Sequence, residues 1–145
     1  MKHVYLTIFL FFFLKGNSQE IFEYEKEISN KQNYSFKEIT FKNKLENINL
    51  SGTLITPKNG CNKIVIIVPG SGLDTRHSQY KLAEELLENN IGVYRYDERG
   101  VGNSEGENSQ INYGISDITN DLISAIEAIR TNENIQIASL GLSIG

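Results

Sequence analysis

The sequence predicts an α/β fold, with a mostly parallel sheet and antiparallel strands at its N-terminal flank. Three observations predict it. The run "KIVIIV" places five branched aliphatics in succession from Ile64 to Val68, the pattern of a strand buried on both faces of a parallel sheet. From Lys63 onward, strand-like and helix-like segments alternate, and successive parallel strands require a crossover of this kind. Before Lys63, two β-rich stretches are separated by a short polar link, which calls for a hairpin or meander. The length of 145 residues suits one domain, and 39% hydrophobic with 22% charged residues is a globular composition.

The elements follow in order. "SFKEITFKN" carries Phe36, Ile39 and Phe41, and "INLSGTLITP" closes at Pro57 before the turn residues Asn59 and Gly60. After the strand at 63–68, "SQYKLAEELLENN" sets Tyr80, Ala83, Leu86 and Leu87 at helical spacing and stops at Asn89 and Asn90. "GVYRYDE" is a short strand. "SDITNDLISAIEAIR" puts Ile118, Leu122, Ile126 and Ile129 on one helical face, with Ser116 as expected N-cap and Asp117 in the first turn, where it favours the helix dipole. "IQIASLG" is a final strand. There is no internal repeat and no low-complexity tract.

The N-terminus reads as an export signal. Met1, Lys2 and His3 precede an unbroken apolar run from Val4 to Leu14. That run is too short to cross a bilayer of about 30 Å, which takes ~20 helical residues, but it suits the apolar core of a secretory signal. Gly16 and Ser18 fit the small positions before a cleavage site, so residues 1–18 are expected to be removed and the protein to be periplasmic or secreted. Residues 19–33 form a polar leader, and the domain is expected over 34–145. Cleavage leaves 12 basic against 18 acidic residues. With no basic cluster, nucleic acid is a poor partner, and no stable membrane association is expected after cleavage. Cys61 is the single cysteine, so no internal disulfide forms, and no His or acidic cluster around it suggests chemistry.

Three glycine-rich pieces carry the candidate chemistry. The terminal "GLSIG" is a Gly-x-Ser-x-Gly motif directly after a predicted buried strand. A sharp strand-to-helix turn needs neighbours without side chains and projects the Ser143 hydroxyl beyond the sheet, while the amide of Ile144 can face the oxygen of a tetrahedral intermediate. "VPGSGLD" leaves the first buried strand, where Gly70 and Gly72 allow close backbone approach. It supplies the second oxyanion donor: the amide of Ser71 in the preferred reading, that of Gly72 or Leu73 as alternatives. "YDERGVGNSEG" fails as a dinucleotide fingerprint, because the required third glycine is Glu105, and no phosphate-loop Gly-Lys-Ser/Thr exists. Asp97 and Arg99 are expected to brace this loop through a charged hydrogen bond, with Ser104 and the glycines closing a turn.

Together these pieces resemble the α/β-hydrolase superfamily of serine hydrolases over roughly residues 34–145. "IVIIVPGSG" is similar to its strand and oxyanion loop, Asp97, Arg99, Gly100, Gly102 and Ser104 to its Asp-x-Arg-Gly-x-Gly-x-Ser loop, and "GLSIG" to its nucleophile elbow. The resemblance implies an α/β-hydrolase fold and a triad in the order Ser, Asp or Glu, His, with Ser143 the nucleophile. Many members carry His-Gly where this chain has Pro69 and Gly70. It implies a small-molecule ester or amide as substrate, an acyl-enzyme, and neither metal nor organic cofactor.

Only Ile144 and Gly145 follow Ser143, so the triad acid and histidine are expected outside these residues. The fold is therefore expected to be incomplete at its C-terminus, in a hydrolase of ~250 residues or more. The fragment itself is expected to be inactive. His77, near the oxyanion loop, is read as a surface or helix-start residue rather than a base. A serine aminopeptidase-like or acyltransferase member is one alternative, and a non-catalytic α/β-hydrolase-like binding domain is another.

Overall fold

Two apolar-alternating stretches and a polar link fold into a hairpin, β1 (Tyr34–Asn43) and β2 (Ile48–Pro57), antiparallel from Tyr34↔Pro57 to Asn43↔Ile48. Its turn is held by Asn43, whose Oδ1 accepts the Leu45 and Glu46 amides at 3.0 and 3.3 Å. Asn47 there takes the left-handed φ of 62° that asparagine tolerates. The remaining elements are β3 (Lys63–Val68), α1 (Tyr80–Glu88), β4 (Gly92–Tyr96), α2 (Ile115–Asn132) and β5 (Gln136–Gly141). This computed structural model describes residues 25–70, 73–107, 114–132 and 136–141. The predicted signal at 1–18 lies outside them.

The sheet order is β1-β2-β4-β3-β5. β2 meets β4 antiparallel, whereas β4, β3 and β5 run parallel. The α/β class with an antiparallel N-terminal flank is therefore as predicted. On the side of α2, Ile39, Phe41, Leu50, Leu54, Ile64, Ile66 and Tyr94 form the larger core with Ala125 and Ile129. On the side of α1, Ile55, Ile67 and Val93 pack with Ala83 and Leu87. Alternate residues of β3 thus enter opposite cores, which is why its sequence is apolar without a break. Each such side chain contributes about 1.5–3 kcal/mol when fully buried.

The segment 25–33 lies against this domain. Ile28 is buried in the α1-side core, the Lys26 amide donates to the His77 carbonyl at 3.1 Å, and Glu25 is buried. The start of α2 differs from expectation. Ser116 lies inside the helix and is exposed, while Gly114 precedes the first turn and its amide donates to Asp117 Oδ2 at 2.8 Å. The Asp117 side chain reaches back over the helix start, the acidic half of a capping box.

One glycine decides how the larger core closes. A Cβ on Gly52 would lie 2.6 Å from the Tyr94 hydroxyl and from the Arg95 carbonyl oxygen. The bare backbone lets the Tyr94 ring cross β2 and donate its O–H to the Ile39 carbonyl on β1 at 2.8 Å. Phe41 and Tyr96 complete the aromatic layer, their ring centroids 5.4 Å apart and nearly perpendicular.

Candidate active site

Three parallel strands deliver their C-terminal ends to one edge of the sheet. β3 lies between β4 and β5, with Ile67 opposite Arg95 and Val68 opposite Gly141. Pro69, Asp97 and Gly141 therefore stand at the same edge, each at the end of its strand. Connections from neighbouring strand ends that go to opposite faces open a crevice, the usual ligand site of α/β sheets. Here α1 covers one face and α2 the other.

The loop after β3 is tied to its neighbours through backbone donors. Pro69 and Gly70 are buried. The Gly70 amide donates to Asp74 Oδ2 at 3.0 Å, and the Asp74 carbonyl accepts the Glu98 amide at 3.1 Å. The Thr75 amide donates to Glu25 Oε1 at 2.8 Å. Arg76 then grips Asp97: its amide and Nε donate to Oδ1 at 2.8 and 3.1 Å, and Nη2 donates to Oδ2 at 2.8 Å. Arg76 also reaches Glu38, Thr53 Oγ1 and Ser51 Oγ, joining both loops to the hairpin.

The loop after β4 is braced by charge, as the sequence predicts, but the partners are different. Asp97 pairs with Arg76 and not with Arg99. Arg99 donates from Nε and Nη2 to both oxygens of Asp121 on α2, at 3.0 and 2.8 Å, and from Nη1 to Glu46 in the hairpin turn. Local proximity favours Asp97 with Arg99, yet the chain sends these two side chains to different neighbours. Burial by itself would raise the Asp97 pKa, but hydrogen bonds from Arg76 and the Asn103 amide outweigh it and hold the carboxyl below its ordinary range. For Arg99 the order is similar: burial opposes the charge, and the bonds to Asp121 and Glu46 more than restore it.

Glycine and serine close this loop as expected. Gly102 has φ +55°, and a Cβ there would stand 2.5 Å from Asp97 Oδ2, so the carboxylate occupies the space a side chain would need. Ser104 Oγ donates to the Asp97 carbonyl at 2.7 Å and accepts the Ser51 amide at 3.0 Å.

The sequence-predicted reacting groups Ser143, Ile144 and Ser71, with Gly72, lie outside the described residues. Of the three candidate donors in this loop, Ser71, Gly72 and Leu73, Leu73 alone is described, with its side chain exposed. Gly70 uses its amide on Asp74, so any oxyanion donor from this loop lies beyond it. His77 is half-buried, and its Nδ1 has no partner among the described residues. Burial and then the charge of Arg95 push its pKa below 6.5.

His77 borders a cavity of about 320 Å³ with Ile28, Phe36, Glu38, Arg76 and Arg95. That cavity belongs to the hairpin side of the sheet, whereas β5 forms the opposite edge. Cys61 is half-buried in the β2–β3 loop. Among the described residues no group of His, Cys, Asp and Glu has the arrangement to hold a metal ion. Sequence reasoning missed Asp74, Arg76, Glu46 and Asp121. Asp74 and Arg76 follow a glycine loop, Glu46 sits in the hairpin turn and Asp121 lies within α2, positions that exposed polar residues fill equally well.

The family model described as serine aminopeptidase, S33, matches residues 60–145. No curated protein sequence matches the chain. Solved structures do. The Pyrococcus furiosus esterase Pf2001 superposes with a TM-score of 0.68 at 22% identity, over 83% of this chain and 46% of its own. The α/β hydrolase GrgF from Penicillium sp. sh18 gives 0.62 at 26%, over 77% and 38%. A cold-adapted esterase from an Arctic intertidal metagenomic library gives 0.62 at 15%, over 85% and 56%. The chain thus spans about half the length of these structures or less.

Proposed function

Because the chain belongs to the serine aminopeptidase S33 family of the α/β-hydrolase superfamily, we propose that it is the N-terminal part of an exported serine hydrolase acting on carboxylic esters. The observation that carries this reading is the pairing of Val68 with Gly141 on adjacent parallel strands. It starts the glycine loop of 69–73 and the Gly-x-Ser-x-Gly turn from neighbouring points, as an oxyanion hole and its nucleophile require.

In this reading Ser143 Oγ attacks the ester carbonyl carbon and gives its proton to a histidine. The amides of Ile144 and Ser71 stabilise the oxyanion. The bond to the alcohol oxygen then breaks, and the alcohol leaves with that proton. Water repeats the sequence on the acyl-enzyme, releasing the carboxylic acid and restoring Ser143. The histidine and its acidic partner come from sequence beyond Gly145, in keeping with the share of the esterase structures that this chain spans. The 145 residues alone are then inactive. The chemistry calls on neither metal nor organic cofactor.

The test is a fluorophosphonate probe on the full-length protein. Ser143 labels and p-nitrophenyl acetate is cleaved, and Ser143→Ala abolishes both. Folded wild type that does neither overturns the reading in favour of a non-catalytic binding domain. A stop codon directly after Gly145 overturns the partial-chain reading, and a mature exported protein that still begins at Met1 overturns cleavage after Ser18. The family description favours one second reading, release of N-terminal residues from peptides. Faster turnover of aminoacyl p-nitroanilides than of p-nitrophenyl esters would establish it.

A further inference from the structure

We propose that Asp74 is the positioning residue of the oxyanion loop, an inference that rests on the serine hydrolase reading above. Its carboxylate accepts the Gly70 amide at 3.0 Å, closing the loop across 70–74. Its carbonyl accepts the Glu98 amide at 3.1 Å, fixing the same residue to the exit of β4. Asp74 is 5% exposed, so water cannot readily replace either bond. Two residues further on, Arg76 repeats the attachment by binding Asp97 through its amide and guanidinium.

The loop is therefore held at its start by Asp74 and at its end by Asp97. Gly70 and Asp74, the two ends of this stretch, are thereby fixed to each other and to the β4 exit, beside the end of β3 from which Val68 faces Gly141. An oxyanion donor works only within about 2.7–3.1 Å of the developing charge, and a displacement of roughly 1 Å can cost ~10²-fold in rate. In this proposal Asp74 positions the loop and takes no part in the chemistry. It acts through the Gly70 amide, and a cap that served stability alone would alter melting without a selective effect on the transition state.

The experiment uses the full-length protein with Asp74→Ala, Asp74→Glu and Asp74→Asn. Asp74→Ala lowers kcat about 10²-fold with KM nearly unchanged, and weakens a boronic acid that forms a tetrahedral adduct by a similar factor. Asp74→Glu, which keeps the charge but moves the oxygen, gives the same pattern in folded protein if Asp74→Ala does not fold. Asp74→Asn keeps an acceptor oxygen and restores most of the rate. Amide exchange of the peptide covering 69–73 speeds up in Asp74→Ala and Asp74→Glu.

Equal changes in kcat and KM with unaltered boronate affinity overturn the proposal, as does unchanged exchange at Gly70. Wild type that neither labels nor hydrolyses overturns the hydrolase reading instead, while faster exchange still shows that Asp74 holds the loop.

Discussion

Arg99 holds both carboxylate oxygens of Asp121, with Nε 3.0 Å from Oδ2 and Nη2 2.8 Å from Oδ1, and the pair is buried between the β4 exit and α2. Asn43 Nδ2 donates to the same Oδ1 at 2.7 Å. One carboxylate thus joins the hairpin end, the loop after β4 and α2. Breaking a buried ion pair costs about 3–5 kcal/mol when the remaining charge has no other partner, and the bond from Arg99 to Glu46 keeps the loss at Asp121 toward the lower end of that range. Asp121→Ala is expected to destabilise by that amount in urea unfolding. Arg99→Ala with Asp121→Ala should cost less than the two single losses combined, and strict additivity in the double-mutant cycle would refute the coupling.

At Gly102 an added Cβ meets Asp97 Oδ2 at 2.5 Å in a left-handed backbone. Gly102→Ala combines backbone strain of about 1–3 kcal/mol with displacement of the carboxylate from Arg76. A lowered Tm is expected, larger than for Gly60→Ala, where φ is +89° but nothing lies within 4 Å. Equal losses at the two sites would show that strain, and not the Asp97 contact, sets the cost.

Tyr94→Phe removes the O–H that reaches the Ile39 carbonyl and is expected to cost about 0.5–1.5 kcal/mol. Gly52→Ala is expected to cost more. The added methyl would meet the Arg95 carbonyl oxygen at 2.6 Å and Tyr94 Cζ at 2.7 Å, and neither is removed by Tyr94→Phe. The double variant should therefore not recover the stability of Tyr94→Phe, and recovery in chemical denaturation would contradict this packing.

Stability should fall with acid in two stages. His77 has a folded pKa depressed by burial and by Arg95, so the unfolded chain binds the proton more readily. Its contribution is complete above the unfolded value of about 6.5 and is lost as pH falls through the depressed one. Asp97 has the same sign lower down: its contribution is present above about 3.9 and disappears as pH falls through its lowered folded pKa. The urea midpoint measured from pH 8 to pH 3 should decline in both windows. His77→Asn should flatten the upper window and leave the lower one.

The fold was legible because burial imposes periodicity. Ile64 to Val68 is apolar throughout since both faces of β3 are covered, and Ala83 with Leu87 marks the buried stripe of α1. Pro57 ends β2 where predicted, since a turn follows at once. Side-chain pairing left no such trace. Asp97 lies two positions from Arg99, so a local bond looked natural, but Arg76 and Asp121 are each more than twenty residues away along the chain. Asp74 and Arg76 carry no sequence signal of their roles, because a buried charge with a distant partner has the same composition as an exposed one.

The sequence by itself determined the class of fold, the order of strands and helices along the chain, and the Gly-x-Ser-x-Gly and glycine-loop motifs, since these follow from local patterns of apolar and small residues. Only the tertiary structure decided that β3 lies between β4 and β5, that Asp97 serves Arg76 while Arg99 serves Asp121, and that Asp74 takes the Gly70 amide. Those choices depend on which strand ends become neighbours, and that is settled by how α1 and α2 cover opposite faces of the sheet.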